Sequence, residues 1–145
     1  MVSVTPYLCA ADAAAALDFY TRAFDAVETT RWTDPQTHAI GHAEFDIGDT
    51  HLMIADEWPA GGVYSPTTVG RTTVSLVIEV DDADAVFERA VAAGATVDRP
   101  IEDSPHGRNG WLVDPFGHRW NIAGPAAPLS AAELQEAVGD AYTIT

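Results

Sequence analysis

The chain has 145 residues, of which 47% are hydrophobic, 20% charged and 9% aromatic, a composition suited to one domain with a real core and unlike disordered, collagen-like or disulfide-scaffold chains. Its 22 acidic residues outnumber 7 basic ones, all Arg, giving a formal net charge of -15, so nucleic acid and anionic membranes are excluded as expected partners because both would be repelled. A high-GC or salt-adapted host explains such a balance blandly; attraction of a cationic ligand is the sharper reading.

The segment Thr5 to Ala10 has strand character, and Asp12 can cap a helix carrying Ala13, Ala16, Leu17, Tyr20 and Phe24 on one face. Cys9 is the only cysteine, so there is no internal disulfide and no thiolate cluster for zinc; it reads as an inert small hydrophobe. Val27 to Thr33 returns to β-branched and aromatic residues. His42 to Ile47 then alternates polar His42, Glu44 and Asp46 with apolar Ala43, Phe45 and Ile47 before Gly48-Asp49 turns into Thr50 to Ala55.

After a Gly/Pro-rich stretch, Glu57 to Gly70, read as a surface connection, the same order recurs. Thr73 to Val80 is a strand, and Asp82 can cap a helix with Ala83, Val86, Phe87, Ala90 and Val91 on one face, ended by Gly94. Strands follow at Thr96 to Arg99, Gly110 to Asp114 and His118 to Ala123, with Asp114-Pro115-Phe116-Gly117 as a turn between the last two. Asp12 meets Asp81, Leu17 meets Val86 and Ala26 meets Ala95 at an offset of 69, while Leu52 meets Trp120 and Ile54 meets Ile122 at 68. The halves read as an internal duplication. A third helix starts at Ser130 with a capping box to Glu133, and Leu129 and Leu134 are placed for a hydrophobic staple. Its narrow stripe of Leu134, Ala137 and Val138 suits docking on the domain or on a second subunit. No basic-then-apolar leader opens the chain and no apolar run reaches membrane-spanning length, so the expected location is the cytoplasm.

The paired βαβββ modules, with Thr5-Pro6-Tyr7-Leu8, Leu17-Asp18-Phe19-Tyr20, His42-Ala43-Glu44-Phe45, Ala93-Gly94-Ala95 and Asp114-Pro115-Phe116-Gly117-His118-Arg119-Trp120, resemble the vicinal oxygen chelate superfamily. That superfamily includes glyoxalase I, extradiol dioxygenases, fosfomycin-resistance enzymes and bleomycin-resistance proteins. The His-Ala-Glu and Asp-Pro-Phe-Gly-His-Arg-Trp segments resemble its PhnB-like branch. The resemblance implies an α+β fold: one glyoxalase-like domain over 1–145 with module one at 3–56, a linker at 57–71, module two at 72–124 and a helical tail at 125–145. The tandem modules would form a cup-shaped eight-stranded mixed sheet with helices on its outer face. It also implies a homodimer, with the cup closed within one chain or exchanged between two.

Metal enzymes of the superfamily place one His, Glu or Gln ligand on the first and fourth strands of each module, and those positions here fall at Thr5, Met53, Ser75 and Asn121. Two hydroxyls, a thioether and a carboxamide supply neither an anion nor an imidazole, so no metal and no other cofactor is expected. Strand alternation then gives the cup its lining. From the first module come Thr5, Tyr7, Cys9, His42, Glu44, His51, Met53 and Ala55. From the second come Ser75, Val77, Glu79, Arg119 and Asn121, with Arg108 beside His106 in a loop, Ser104 to Gly110, read as solvated or, alternatively, as a mobile lid.

Thr5, Tyr7, His42, His51, Met53, Ser75, Val77, Arg108, Arg119 and Asn121 are the candidate ligand-binding residues, and Glu44 and Glu79 the candidate catalytic acid and base. Arg119 is a candidate partner of Glu79 or of a ligand anion, Trp120 a core residue, and Trp32 and Trp58 are expected to cap the core, the alternative being to stack on a planar ligand. The leading expectation is a metal-independent binding protein for a polar or cationic small molecule. The competing one is a lyase, isomerase or dioxygenase using Glu44, Glu79, His42 or His51, or a displaced metal site of His42, Glu44 and His51. A third is a structural dimer whose cup is filled by Tyr7, Met53, Trp32 and the last helix.

Overall fold

The computed structural model describes residues 1–145. Its first module runs β1 (Tyr7–Ala10), α1 (Ala13–Phe24), β2 (Val27–Thr33), β3 (Ile40–Ile47) and β4 (Thr50–Asp56). A connection holding a 3-10 turn at Pro59–Gly61 and a short helix, α2 (Pro66–Val69), leads to the second module. That module runs β5 (Ser75–Glu79), α3 (Ala83–Ala92), β6 (Thr96–Ser104), β7 (Gly107–Val113) and β8 (Arg119–Ala123), and α4 (Ala131–Val138) follows. The strands divide into two four-stranded mixed sheets ordered β1-β4-β3-β2 and β5-β8-β7-β6, in which β1 lies parallel to β4 and β5 parallel to β8. No helix is long and apolar enough to cross a membrane.

The helices begin where short acidic side chains can satisfy free amides. Asp12 accepts from Ala15 N at 2.9 Å and Asp82 from Ala85 N at 3.0 Å. These caps set the helix offset at 70, one more than the sequence alignment of Asp12 with Asp81 suggested. Asp56, at the end of β4, accepts from both Ala13 N and Ile40 N at 2.7 Å, tying the start of α1 to the sheet.

Alternation decides which face of each sheet is covered. Ala43, Phe45, Leu52 and Ile54 of the first sheet and Leu112, Trp120 and Ile122 of the second are buried in one core with Leu17, Phe19, Tyr20 and Phe24 of α1 and Phe87 and Ala90 of α3. Trp120 is a core residue, as expected. The α1 helix spans both sheets: Tyr20 stacks on Phe45 at 5.5 Å and tilts against Trp120 at 5.5 Å, and Phe24 lies 4.8 Å from Trp120. Because the helix-bearing faces share one core, the opposite face of each sheet points away from it and is left open.

Several local expectations need correction. Trp32 and Trp58 do not cap the core; they are 66% and 64% exposed, Trp32 lying against the His42 ring and Trp58 over Gly61 of the 3-10 turn. The segment from Ser104 to Gly110 is not a lid. It is the tip of the β6–β7 hairpin, where Ser104 Oγ donates to Gly107 O at 2.9 Å and accepts from His106 N at 3.1 Å. The connection between modules is not wholly superficial either: Ser65 is fully buried, donating to Glu57 Oε1 at 2.7 Å and capping α2. Ser130 caps α4 through Glu133 N as expected, yet α4 buries none of its residues.

Candidate functional site

The open face of the first sheet gathers five of the candidate side chains, Tyr7, His42, Glu44, His51 and Met53, onto three neighbouring strands. Pairing of Tyr7 with Met53 across β1 and β4, and of Glu44 with Met53 and Asp46 with His51 across β3 and β4, places them side by side. The Tyr7 hydroxyl lies 2.7 Å from His42 Nδ1, and His42 Nε2 lies 3.1 Å from Glu44 Oε1. A carboxylate can only accept, so Nε2 carries the proton and Nδ1 accepts from the phenol. On the other side of Glu44, His51 Nε2 stands 3.7 Å from Oε2, and its Nδ1 bonds Asp46 Oδ1 at 2.7 Å. The result is one chain of polar groups, Tyr7, His42, Glu44, His51 and Asp46, running across the sheet. The His42 ring is also met edge-on by Tyr7 and Trp32, each at 5.4 Å.

Alongside this array lies a cavity of about 660 Å³ whose walls include Tyr7, Cys9, Ile40, Ala55, Trp58 and Val63. Burial, then the charges of Cys9 and Glu44, raises the pKa of Tyr7, which keeps it a neutral phenol that donates its proton. Cys9 is pushed up by burial and by the carboxylates of Glu57 and Asp56, so it stays a thiol and not a nucleophilic thiolate.

The second sheet presents a different open face. Arg119 lies 3.8 Å over the ring of Trp111, donates from Nε and Nη2 to Asp98 at 3.0 and 2.8 Å, and reaches Ser75 Oγ at 3.1 Å. Its partner is therefore Asp98 and not Glu79, which β5 carries exposed at its end. Asn121 is buried and donates to Asn109 Oδ1 and Gly110 O. Val77 is 61% exposed beside it. Arg108 sits in β7, forked onto Asp84 at the start of α3 and onto Asp103, and takes no part in either open face.

These placements split the expected lining. Tyr7, His42, Glu44, His51 and Met53 come together; Ser75, Val77, Arg119 and Asn121 form a second group; Thr5 precedes β1; and Glu44 and Glu79 lie on different sheets. The four positions that hold a metal elsewhere fit one poorly. Thr5, Met53, Ser75 and Asn121 carry no anion and no imidazole. Nor do His42, Glu44 and His51 form a displaced centre: no three His, Cys, Asp or Glu side chains converge in a way that could hold a metal ion, and both ring nitrogens of His42 are already engaged.

Residues 2–122 match the family described as Glyoxalase/Bleomycin resistance protein/Dioxygenase superfamily. The chain belongs to that superfamily. Within it, the chain is 41% identical over 140 residues to an uncharacterized protein of Mycobacterium bovis, covering 94% of this chain and 91% of the relative. It is 30% identical over 122 residues to the anthracycline biosynthesis protein DnrV of Streptomyces peucetius, covering 84% of this chain and 38% of that protein. The PhnB protein from Bacillus cereus, described as a putative 3-demethylubiquinone-9 3-methyltransferase, shares the fold with a TM-score of 0.68 at 21% identity, over 86% of this chain and all of that one.

Asp46 and Trp111 were missed as site residues from sequence. Asp46 was detectable, since it continues the alternation of His42 and Glu44. Trp111 gave no signal, because an aromatic residue reads the same whether a helix covers it or not.

Proposed function

We propose that this protein is a metal-independent small-molecule binding protein that holds a polar, cationic compound with an aromatic body on the open face of the first sheet. The observation that carries this reading is the Tyr7–His42–Glu44–His51–Asp46 array set beside an apolar, Trp58-walled cavity. Two carboxylates attract a cation, and the rings of Trp32, Tyr7 and Trp58 offer faces for cation–π contact and stacking. A cavity of this size with a few convergent polar groups suits a drug-sized molecule. Superfamily membership and the likeness to an anthracycline biosynthesis protein support a ligand of that kind. The exposed aromatic and apolar side chains of both open faces, among them Tyr7, Trp32 and Val77, favour a homodimer in which the second sheet of one copy covers the first sheet of the other.

Isothermal titration with bleomycin-type and other cationic aromatic compounds tests the reading. Binding tighter than 1 mM, a level worth about 4 kcal/mol, is expected, with Glu44→Gln weakening it roughly tenfold. No binding at that level across the panel would sink the cation version. A stoichiometric metal in natively purified protein would overturn metal independence. The Tyr7–His42–Glu44 chain also favours a second reading, proton transfer to or from a bound substrate. Turnover that survives both His42→Gln and Glu44→Gln would remove the array from such a reaction.

A further inference from the structure

The seam between the two modules has two halves related by the duplication, and they are built differently. In one half the turn between β7 and β8 reaches across to the first module. His118 Nε2 donates to Cys9 O of β1 at 2.9 Å, Phe116 meets Phe19 at 6.4 Å, and Gly117 lies so close to Pro66 that an added Cβ would stand 2.8 Å from it. In the other half the corresponding turn between β3 and β4 is short, and Gly48 at its tip has nothing within 4 Å of where a Cβ would stand. A groove of about 810 Å³ remains between that turn and the unpaired edge of β5.

The groove has an apolar floor that includes Leu52, Leu76, Ile78, Val86 and Trp120, and an acidic rim of Asp25, Asp46, Asp49 and Glu79. Ile78 and Val86 are only half-buried there, whereas the residues that match them in the first module at the offset of 70, Leu8 and Ala16, are buried. The one cation at the rim, Arg89, is engaged by Ala23 O at 3.0 Å and Asp25 at 2.9 Å. Charge therefore selects the occupant: a second copy of this acidic chain would bring more negative charge to a negative rim, while a positively charged molecule is drawn in.

We propose that this inter-module groove is a second ligand site, sharing only Asp46 with the open face of the first sheet, for a lipophilic cation whose apolar body lies on Leu52, Ile78, Val86 and Trp120 and whose charged centre sits between Asp49 and Glu79. The site is a built-in consequence of the short β3–β4 turn.

Titration of the full chain with benzyltriethylammonium, and with a neutral alkylbenzene of similar size, tests the proposal. In Glu44→Gln, where the first-sheet face is weakened, one molecule of the ammonium per chain should still bind with a submillimolar Kd that weakens as salt is raised, and the neutral compound should bind at least fivefold more weakly. Val86→Trp, which fills the groove, should abolish binding. The surface double variant Asp49→Asn/Glu79→Gln, which leaves the core untouched, should weaken it at least fivefold even if Val86→Trp fails to fold. Absence of saturable binding would overturn the proposal, as would loss of binding in Glu44→Gln with retention in Val86→Trp. Sedimentation showing a dimer that Val86→Trp dissociates would assign the groove to a second copy instead.

Discussion

The two modules share one scaffold and differ in what their polar side chains still have to offer. In the second, Arg119 and Asn121 of the open face are saturated within the chain, Arg119 by Asp98, Ser75 and the Trp111 ring and Asn121 by Asn109 and Gly110, and on the helix side Arg108 is held by Asp84 and Asp103. In the first, Glu44 and His51 keep 30% and 41% of their side-chain surface exposed inside a linked array. The turns follow the same division. The β7–β8 turn of the second module anchors the first, and the β3–β4 turn of the first anchors nothing. One copy of the duplicated unit has become the clamp, and the other carries the accessible chemistry.

The clamp is the place to break this comparison most severely. Asp114 is buried, and its carboxylate accepts from Tyr20 Oη at 2.6 Å, from Trp120 Nε1 at 2.9 Å, and from the amides of Phe116 and His118 at 2.9 and 3.0 Å. Burial and this carboxylate push Tyr20 well above the ordinary tyrosine range, so it donates at any working pH. Asp114→Ala strands four donors, two of them on buried rings, and should cost about 3–5 kcal/mol in urea unfolding. Tyr20→Phe removes one of the four and should cost about 1–2 kcal/mol. If Asp114→Ala cost less than about 1 kcal/mol, the two modules would have to be held by apolar packing alone.

The two turn glycines give a finer contrast. Gly48 and Gly117 have φ of 59° and 87°, a region that L side chains occupy at a cost of about 1 kcal/mol each. Gly48→Ala should show only that cost, since space is open around it. Gly117→Ala must also displace Pro66, so it should be at least about 1 kcal/mol worse. Equal losses would mean that the second turn is no more tightly packed than the first.

Much of this scaffold was legible in the sequence because its causes are local. Asp12 and Asp82 sit where a cap is needed, and the alternation from His42 to Ile47 sorts the strand into a core face and an open face. The side chains of Tyr7, His42, Glu44, His51 and Met53 could be grouped because strand period and pairing are regular. The misses are long-range. Arg108 looked like a lid residue because Asp84, its partner, lies 24 positions away at the start of a helix. Trp32 and Trp58 looked like core residues because nothing in their neighbourhood says which side of the sheet the helices cover. The division into two sheets, which separates Glu44 from Glu79, depends on how α1 and α3 pack together, and no short pattern encodes that.

The saturated groups of the second module should leave a small signature in acid. Asp84 is held below the ordinary carboxylate range, first by the hydrogen bonds from Arg108 and then by its charge. Because its folded value is lowered, ionised Asp84 favours the folded chain wherever the pH is above the unfolded value of about 3.9, and that contribution is lost as the pH falls through the folded value. Asp84→Asn should therefore unfold at lower urea than the parent chain at pH 7 and pH 5, and the gap should narrow below about pH 4. Because the pair is at the surface, the gap should also shrink in high salt. A gap that stays constant down to pH 3 and in salt would mean that the cost comes from Asp84 favouring the first turn of α3 through its shape alone, and the Arg108 fork would then be ornamental to the stability of the clamp module.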